Sequence, residues 1–464
     1  MLGVMMSGID TSAVVLALPV MIQELHSDII SMIWVIMGYL LVITILGTQV
    51  GKLGDMFGRV KMYNLGFAIF TFGSLLCGFS GTGSELIAFR VVQGLGGALL
   101  TANAGAIIAD TFAVNERGRA YGITGAGYSI GAILGILVGG AFVTFLSWRY
   151  IFFINLPIGV IATAVGVLKL RERSPIVKTK IDVGGITILG AALFLLLYGM
   201  TNTTGSGVET NFVAELFAGL LLIPAFVLYE RRSSHPLLDL SLLKRRIIGA
   251  SFLAAFFQSL AGFAVLFLLI MYLQGPRDMT PWSAALLLIP GYVLGGFIAP
   301  FTGRLSDKLG ARVIASAGLS LQICGLLVYS TLGLTTPTYV VVSGAILNGA
   351  GNSSFFPANN SAVMASAPPR AYGVISGLLR TFSNIGMVCS FAVALLIASL
   401  SIPRQTAFQI FLGVGKISGP LASAFINGMH VALAFSIAVL LLGVLLSALR
   451  GKEARTAGVT QSPT

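Results

Sequence analysis

The chain has 464 residues, of which 56% are hydrophobic and 9% charged, and its mean hydropathy is +0.94. Soluble domains carry about a quarter charged residues, so this composition excludes an ordinary soluble domain and predicts an all-α polytopic membrane protein. The net charge of +12 requires no nucleic-acid partner, because the basic residues follow the predicted topology. The three histidines and three cysteines form no metal-binding pattern and no phosphate-binding loop occurs. We therefore expect no metal, no cofactor and no enzymatic activity.

Fourteen apolar segments are predicted to cross the membrane, each near the length of about 20 residues that a bilayer requires. Their predicted bounds are 2–22, 33–51, 61–80, 84–111, 121–143, 147–168, 183–202, 211–230, 248–271, 282–302, 311–331, 337–364, 372–398 and 427–449. The predicted domains are a six-helix bundle (1–170), two extra helices with linkers (171–247), a second six-helix bundle (248–450) and a cytoplasmic tail (451–464).

The distribution of Lys and Arg predicts which ends of the helices face the cytoplasm. Most of the 28 lysines and arginines fall in the segments that lie inside the cell if both termini are cytoplasmic. The outer segments hold only Arg149, Arg277, Arg404 and Lys416. Because short cytoplasmic loops carry an excess of Lys and Arg, we predict a plasma (inner) membrane protein with both termini in the cytoplasm.

The first predicted helix carries Asp10, about 12 Å along the helix from its start. A carboxylate at such a depth is costly unless it is paired, hydrated or protonated, and an acid that exchanges a proton is what coupling to a proton gradient needs. The alternative is a hydrated carboxylate near a helix end. The stretch Asp10–Pro19 resembles the first-helix motif of the fourteen-span drug:proton antiporters, with Val15 in place of an Asn.

Residues 51–61 are predicted to form a tight turn between the second and third helices. The spacing of Gly51, Asp55, Gly58 and Arg59 resembles the corresponding loop of the major facilitator superfamily. A weaker copy, 252 residues later, contains Gly303, Asp307 and Gly310.

A second repeat supports the same division of the chain. Arg119–Gly122 recurs as Arg370–Gly373, 251 residues later. The resemblance implies a major facilitator fold, with two similar six-helix bundles around a central cavity and two extra helices outside them. It also implies a cytoplasmic latch formed by Asp55, Arg59, Arg117, Arg119 and Asp307.

Arg90 is the second charge expected inside the first bundle, and the stretch Leu86–Gly97 resembles the fourth-helix motif of the superfamily. We predict that Arg90 tunes proton transfer, directly or through Asp10. The alternative is a structural arginine that binds backbone carbonyls between helices. Arg380, which lies off the equivalent position of the second half, is interpreted as structural.

The fifth helix carries a ridge of glycines, Gly127, Gly131, Gly135, Gly139 and Gly140. Such a ridge lets two helices pack closely, and it resembles the antiporter motif of exporters. Ile136 replaces the proline of that motif, which weakens the case for antiport over symport. Generic helix packing is the alternative interpretation.

Polar and aromatic residues within the helices are candidates for the cavity wall, although interhelical bonding is the alternative for each. The predicted set is Asn103, Tyr128, Gln258, Asn348, Asn352, Phe355 and Asn384. We therefore predict a monomeric, proton-coupled exporter of drugs or of lipophilic, cationic small molecules. Its expected partners are its substrate, protons and the lipid bilayer. The alternative is a narrow-specificity transporter of a sugar, peptide or organic acid.

Overall fold

A computed structural model describes residues 1–112, 117–172, 180–202, 210–233, 236, 244–366, 372–401 and 419–451. Within these ranges several side chains lie outside the described set, including those of Arg117, Arg119 and Asp307. The described residues form helices joined by short turns, and no β-strand occurs among them. The predicted all-α fold is confirmed.

The first half contains α1 to α7. Their bounds are Leu2–Glu24, Ile29–Phe57, Arg59–Phe79, Gly83–Thr111, Arg117–Phe145, Tyr150–Phe153 and Asn155–Lys169. The predicted sixth span comprises α6 and α7, which are separated only at Ile154. Ile154 keeps helical backbone angles, and Tyr150–Lys169 is long and apolar enough to cross a membrane as one segment.

Two further helices, α8 (Val183–Asn202) and α9 (Thr210–Arg232), precede the second half. That half contains α10 to α15, which span Arg246–Gln274, Pro281–Leu309, Ala311–Tyr329, Thr338–Ser366, Tyr372–Ser401 and Pro420–Leu449. In the described part of the chain, ten helical segments are long and apolar enough to cross a membrane. The count of fourteen crossings stays a prediction.

The predicted turn at residues 51–61 is much shorter than expected. Helix α2 continues to Phe57 and α3 begins at Arg59, so Gly58 alone makes the turn, with φ of 101°. Gly310 makes the equivalent turn between α11 and α12, with φ of 94°. Both values favour glycine, because a Cβ is strained at positive φ. We call the end of the bundle that carries these two turns the basic face, and the other end the opposite face.

The two halves pack together at the opposite face. The backbone N–H of Trp282 on α11 donates to Thr144 Oγ1 on α5 (3.0 Å), and Gln274 Nε2 on α10 donates to the Leu16 carbonyl on α1 (3.1 Å). Nearer the basic face, an added Cβ would meet no atom within 4 Å at Gly51, Gly303 or Gly377. These three glycines lie on helices that flank the seam between the halves. Two polar contacts between the halves therefore lie at the opposite face, whereas these three glycines border open space nearer the basic face.

The extra pair α8–α9 docks along α2. At the opposite face Trp34 Nε1 donates to Thr201 Oγ1 (3.3 Å), and its ring packs against Phe194 and Tyr198. At the basic face the backbone N–H of Asp182 donates to Gln49 Oε1 (3.3 Å). Helix α8 is thereby fixed to the first half at both of its ends.

The segment before α6 is held against α1. The Trp148 indole is buried and donates to Glu24 Oε2 (2.8 Å). The Arg149 guanidinium covers the indole ring at 4.4 Å and also pairs with Glu24. The acceptor on α1 explains the burial, since a buried indole N–H requires a hydrogen-bond partner.

Candidate functional site

Asp10 on α1 and Arg90 on α4 form a buried ion pair inside the first half. Arg90 Nη1 lies 2.6 Å from Asp10 Oδ2, and the two side chains are 1% and 0% exposed. The sequence predicted both as intramembrane charges and left open whether they meet. Their direct contact places an acid and its counter-charge on two different helices of one half.

Gln93 and Ser74 extend this ion pair into a network. Gln93 Oε1 accepts from Arg90 Nη1 (2.6 Å), and Gln93 Nε2 donates to Asp10 Oδ1 (2.9 Å). The same nitrogen donates to Ser74 Oγ on α3 (3.2 Å), which also accepts from Asn155 Nδ2 on α7 (3.0 Å). The network therefore joins four helices through side chains that are all buried.

Sequence reasoning missed Gln93, Ser74 and Asn155 as members of this network. Gln93 follows Arg90 by three residues and therefore shares its helix face, which was an available signal. Ser74 and Asn155 gave no comparable signal, because their contacts depend on how α3 and α7 are rotated against α4.

Additional contacts hold the Arg90 guanidinium. Arg90 Nε donates to the Val35 carbonyl on α2 (3.1 Å), and the guanidinium carbon lies 4.1 Å from the centre of the Tyr39 ring. A cation over an aromatic face is favourable when water is excluded. Burial of an ion pair is costly unless most donors and acceptors are satisfied, and here α2 supplies the contacts that the acid alone does not.

The glycine ridge of α5 positions the helix that carries Asp10. Gly127, Gly131, Gly135 and Gly139 face Met1, Met5, Ile9 and Ala13 of α1 in turn. An added Cβ on Gly135 would overlap the carbonyl oxygen of Ile9, the residue before Asp10. Gly140 instead faces α11, where an added Cβ would lie 2.9 Å from the Ala285 Cβ. Four of the predicted glycines therefore serve the α1–α5 contact, and one serves the contact between the halves.

A second charged cluster lies at the basic face. Arg59 Nη2 lies 2.7 Å from Asp55 Oδ1, and Arg59 Nη1 lies 2.7 Å from Asp110 Oδ1. Sequence reasoning missed Asp110, which lies one residue before the end of α4. The backbone N–H of Val60 donates to Glu172 Oε2 (3.0 Å), which places an acid at the start of α3, where the helix dipole favours it. Arg117, Arg119 and Asp307 belong to the predicted latch, but their side chains lie outside the described residues.

The predicted cavity residues separate into two groups. Asn103 and Phe355 are fully buried, Asn103 against Gly54 and Phe355 in the apolar core, so they do not contact open space in this conformation. Tyr128 is 40% exposed and Asn352 is exposed, whereas Asn348 and Asn384 are half-buried. Gln258 is buried and donates from Nε2 to Asn352 Oδ1 (2.9 Å). Interhelical packing therefore accounts for the first group.

A match to the family model of the Major Facilitator Superfamily covers residues 1–390. The chain belongs to the major facilitator superfamily. The fold agrees, since a bacterial homologue of the lysosomal transporter Spinster, solved in an inward-facing and unoccupied conformation, superposes with a TM-score of 0.68. That match covers 97% of this chain and 95% of the other at 18% identity, so it supports the fold alone.

Two bacterial relatives match over most of their length. The riboflavin transporter RibZ of Clostridioides difficile is 32% identical over 403 residues, which are 84% of this chain and 85% of RibZ. The tetracenomycin C resistance and export protein of Streptomyces glaucescens is 29% identical over 391 residues, 83% of this chain and 72% of that protein. This chain is accordingly a multi-pass membrane transporter of small molecules and not an enzyme.

Proposed function

We propose that this superfamily member is a proton-coupled exporter in which Asp10 binds the transported proton. The closed ion pair between Asp10 and Arg90 is the observation that carries the proposal. Two buried charges on separate helices are expensive to maintain in a bilayer, and a coupling site gives a reason for them that packing alone does not.

Protonation of Asp10 alters the balance of this network. The neutral acid no longer attracts the Arg90 guanidinium, which keeps its contacts with Val35 and Tyr39 on α2. The contacts of α1 with α2 and α4 then weaken, and the first half can rearrange relative to the second. Each unit charge that moves through a potential of 100 mV contributes about 2.3 kcal/mol, which is enough to bias such a cycle.

The basic face is assigned to the cytoplasm, because short cytoplasmic loops collect Lys and Arg. The contacts at the opposite face would then close the outer side, and the open space beside Gly51, Gly303 and Gly377 would face the cytoplasm, as in a state that loads cargo for export. In the outward-facing state, the cluster of Asp55, Arg59 and Asp110 would meet Arg117, Arg119 and Asp307 as a cytoplasmic latch.

The cargo is a drug-like or other lipophilic small molecule. The Streptomyces relative is named for resistance and export, which supports this direction of transport. The second candidate is a narrow-specificity metabolite transporter, which the similarity to a riboflavin transporter favours. Ile136, in place of the antiporter-motif proline, also keeps this candidate open.

Everted membrane vesicles test the coupling. Respiration acidifies their interior, and uptake of ethidium or riboflavin is followed by fluorescence with and without an uncoupler. We expect uptake by the unmutated chain to require the gradient and to be lost in Asp10→Asn. Asp28→Asn is the matched control, because Asp28 caps α2 through Ser31 (2.6 Å) away from the network, and asparagine also caps helices. Gradient-dependent uptake that persists in Asp10→Asn would refute the proposal.

A further inference from the structure

A cluster of polar side chains lies on three corresponding helices of each half. In the first half these helices are α1, α3 and α4, and the core of the cluster is the Asp10–Arg90 ion pair. In the second half, the first, third and fourth helices are α10, α12 and α13, and they carry Gln258, Gln322 and Asn352. The second cluster contains these three amides and the Ser259 hydroxyl, which donates to Gln258 Oε1 (3.4 Å), and none of these groups is charged. Asn352 is exposed at its edge.

The amide cluster has an unused hydrogen-bond donor. Gln258 Nε2 donates to Asn352 Oδ1 (2.9 Å) and to Gln322 Oε1 (3.4 Å), which uses both of its N–H groups. Gln322 is 1% exposed, and its own Nε2 has no hydrogen-bond partner. A buried donor without a partner is unfavourable, so a ligand acceptor that reaches this position would be stabilised.

The surrounding charges discriminate against cations. Helices α10, α12, α13, α14 and α15 contain no Asp or Glu, and Asp10 is already paired and buried. Arg380 on α14 is exposed and reaches across to α4, where its Nη1 lies 3.5 Å from the Thr101 carbonyl. A cationic cargo would lose its hydration here without gaining a carboxylate partner, which is costly.

An aromatic surface adjoins the amides. Phe356 follows Asn352 by four residues and therefore shares its face of α13. Its ring is half-buried and lies 5.4 Å from the Phe355 ring. A flat ring system could stack there while its edge faces the amide donors.

We infer that Gln258, Gln322 and Asn352 form a subsite for an uncharged, planar cargo that presents carbonyl oxygens. This inference rests on the proposed function and narrows its cargo, so that cationic drugs become poor substrates. The first half then carries the proton and the second half recognises the cargo through neutral hydrogen bonds.

Equilibrium binding to the purified full chain in detergent tests the subsite, with fluorescence anisotropy as the readout. Riboflavin is the uncharged, carbonyl-bearing probe, and ethidium is a planar cation without carbonyls. We expect riboflavin to bind more tightly than ethidium. Gln322→Leu should weaken riboflavin binding about threefold to tenfold, the effect of one neutral hydrogen bond, while leaving ethidium binding unchanged.

A substitution that makes the subsite prefer the cationic probe over the uncharged one is the sharper test. Asn352→Asp replaces an amide donor with a carboxylate, so riboflavin binding should fall at least about tenfold and ethidium binding should rise. Asn360→Asp is the matched control, since Asn360 is exposed on α13, about 12 Å further along the helix. Equal or tighter ethidium binding by the unmutated chain, or equal effects of the two Asp variants, would overturn the inference. Because binding is measured without a gradient, these outcomes are independent of whether Asp10 couples protons.

Discussion

Arg59 and Asp110, 51 residues apart in the chain, form a bidentate ion pair in which one guanidinium nitrogen lies 2.7 Å from both carboxylate oxygens. Arg59 also binds Asp55, four residues earlier. All three residues belong to the first half, on α2, α3 and α4. In this conformation the cluster therefore ties together the ends of three helices of one half.

Neutralising this cluster should reduce transport more than expression. Both side chains of the Arg59–Asp110 pair are 23% exposed. We therefore expect each carboxylate to stabilise the cluster by about 1 kcal/mol, which corresponds to about a fivefold change in a conformational equilibrium. Asp110→Asn should lower the initial rate of vesicle uptake by about that factor, and Asp55→Asn should do so to a similar or smaller extent. Expression and thermal unfolding serve as controls. Near-normal transport by both variants would argue against a latch at this position.

The α1–α5 contact should not tolerate a methyl group at Gly135. An added Cβ would overlap the Ile9 carbonyl oxygen, so α1 must shift and displace Asp10 from Arg90. Overpacking of this kind costs about 1 to 3 kcal/mol, and we expect Gly135→Ala to lower the midpoint of thermal unfolding and abolish coupled transport. Gly47→Ala is the matched control, because nothing lies within 4 Å of its added Cβ. If the two variants behave alike, close packing at Gly135 does not position Asp10.

The one-residue turn at Gly58 should not tolerate alanine. Gly58 has a φ of 101°, and backbone strain of this kind costs about 1 to 3 kcal/mol for a residue with a Cβ. An added Cβ would also lie 2.7 Å from Glu172 Oε2. We therefore expect Gly58→Ala to lower the midpoint of thermal unfolding. The double variant Gly58→Ala with Glu172→Ala should remove the steric part and leave the backbone strain.

The docking of the extra helix pair should depend on Asp182. Asp182 Oδ1 accepts from the backbone N–H of Gly185 (2.9 Å) and from Tyr229 Oη on α9 (2.9 Å). Nearby, burial lowers the pKa of Lys52, and the charges of Asp182 and Glu230 act in the opposite direction. Asp182→Ala removes a helix cap and a buried acceptor, so it should cost about 1 to 3 kcal/mol.

Hydrogen exchange read by mass spectrometry checks this prediction. The first turn of α8 should exchange faster in Asp182→Ala, while the contacts around Trp34 at the other end of α8 keep their protection. Thr187→Ala is the control, because Thr187 is exposed and bonds only within its own helix, to the Val183 carbonyl (2.8 Å). Unchanged exchange in Asp182→Ala would show that the aromatic contacts alone hold the pair.

The sequence alone determined the class of the protein, and it predicted a division into two related halves and the charged residues within the helices. Hydropathy, glycine spacing and the repeated loop motif are local patterns, and a bilayer restricts apolar segments to helices. For the same reason the position of Asp10 and Arg90 within helices was predictable. Local patterns also predicted too long a turn after α2, because a helix can continue through the charged residues of the motif beyond its apolar stretch.

Only the tertiary structure decided which polar groups meet. Asp10 and Arg90 are 80 residues apart, and Ser74 and Asn155 are 81 apart. Contact within each pair depends on the rotation and offset of packed helices. The tertiary fold likewise buried Asn103 and Phe355, exposed Asn352 and left the Gln322 amide without an acceptor for its N–H groups. Helix periodicity predicts which residues share a face, but the packing of several helices determines what that face contacts.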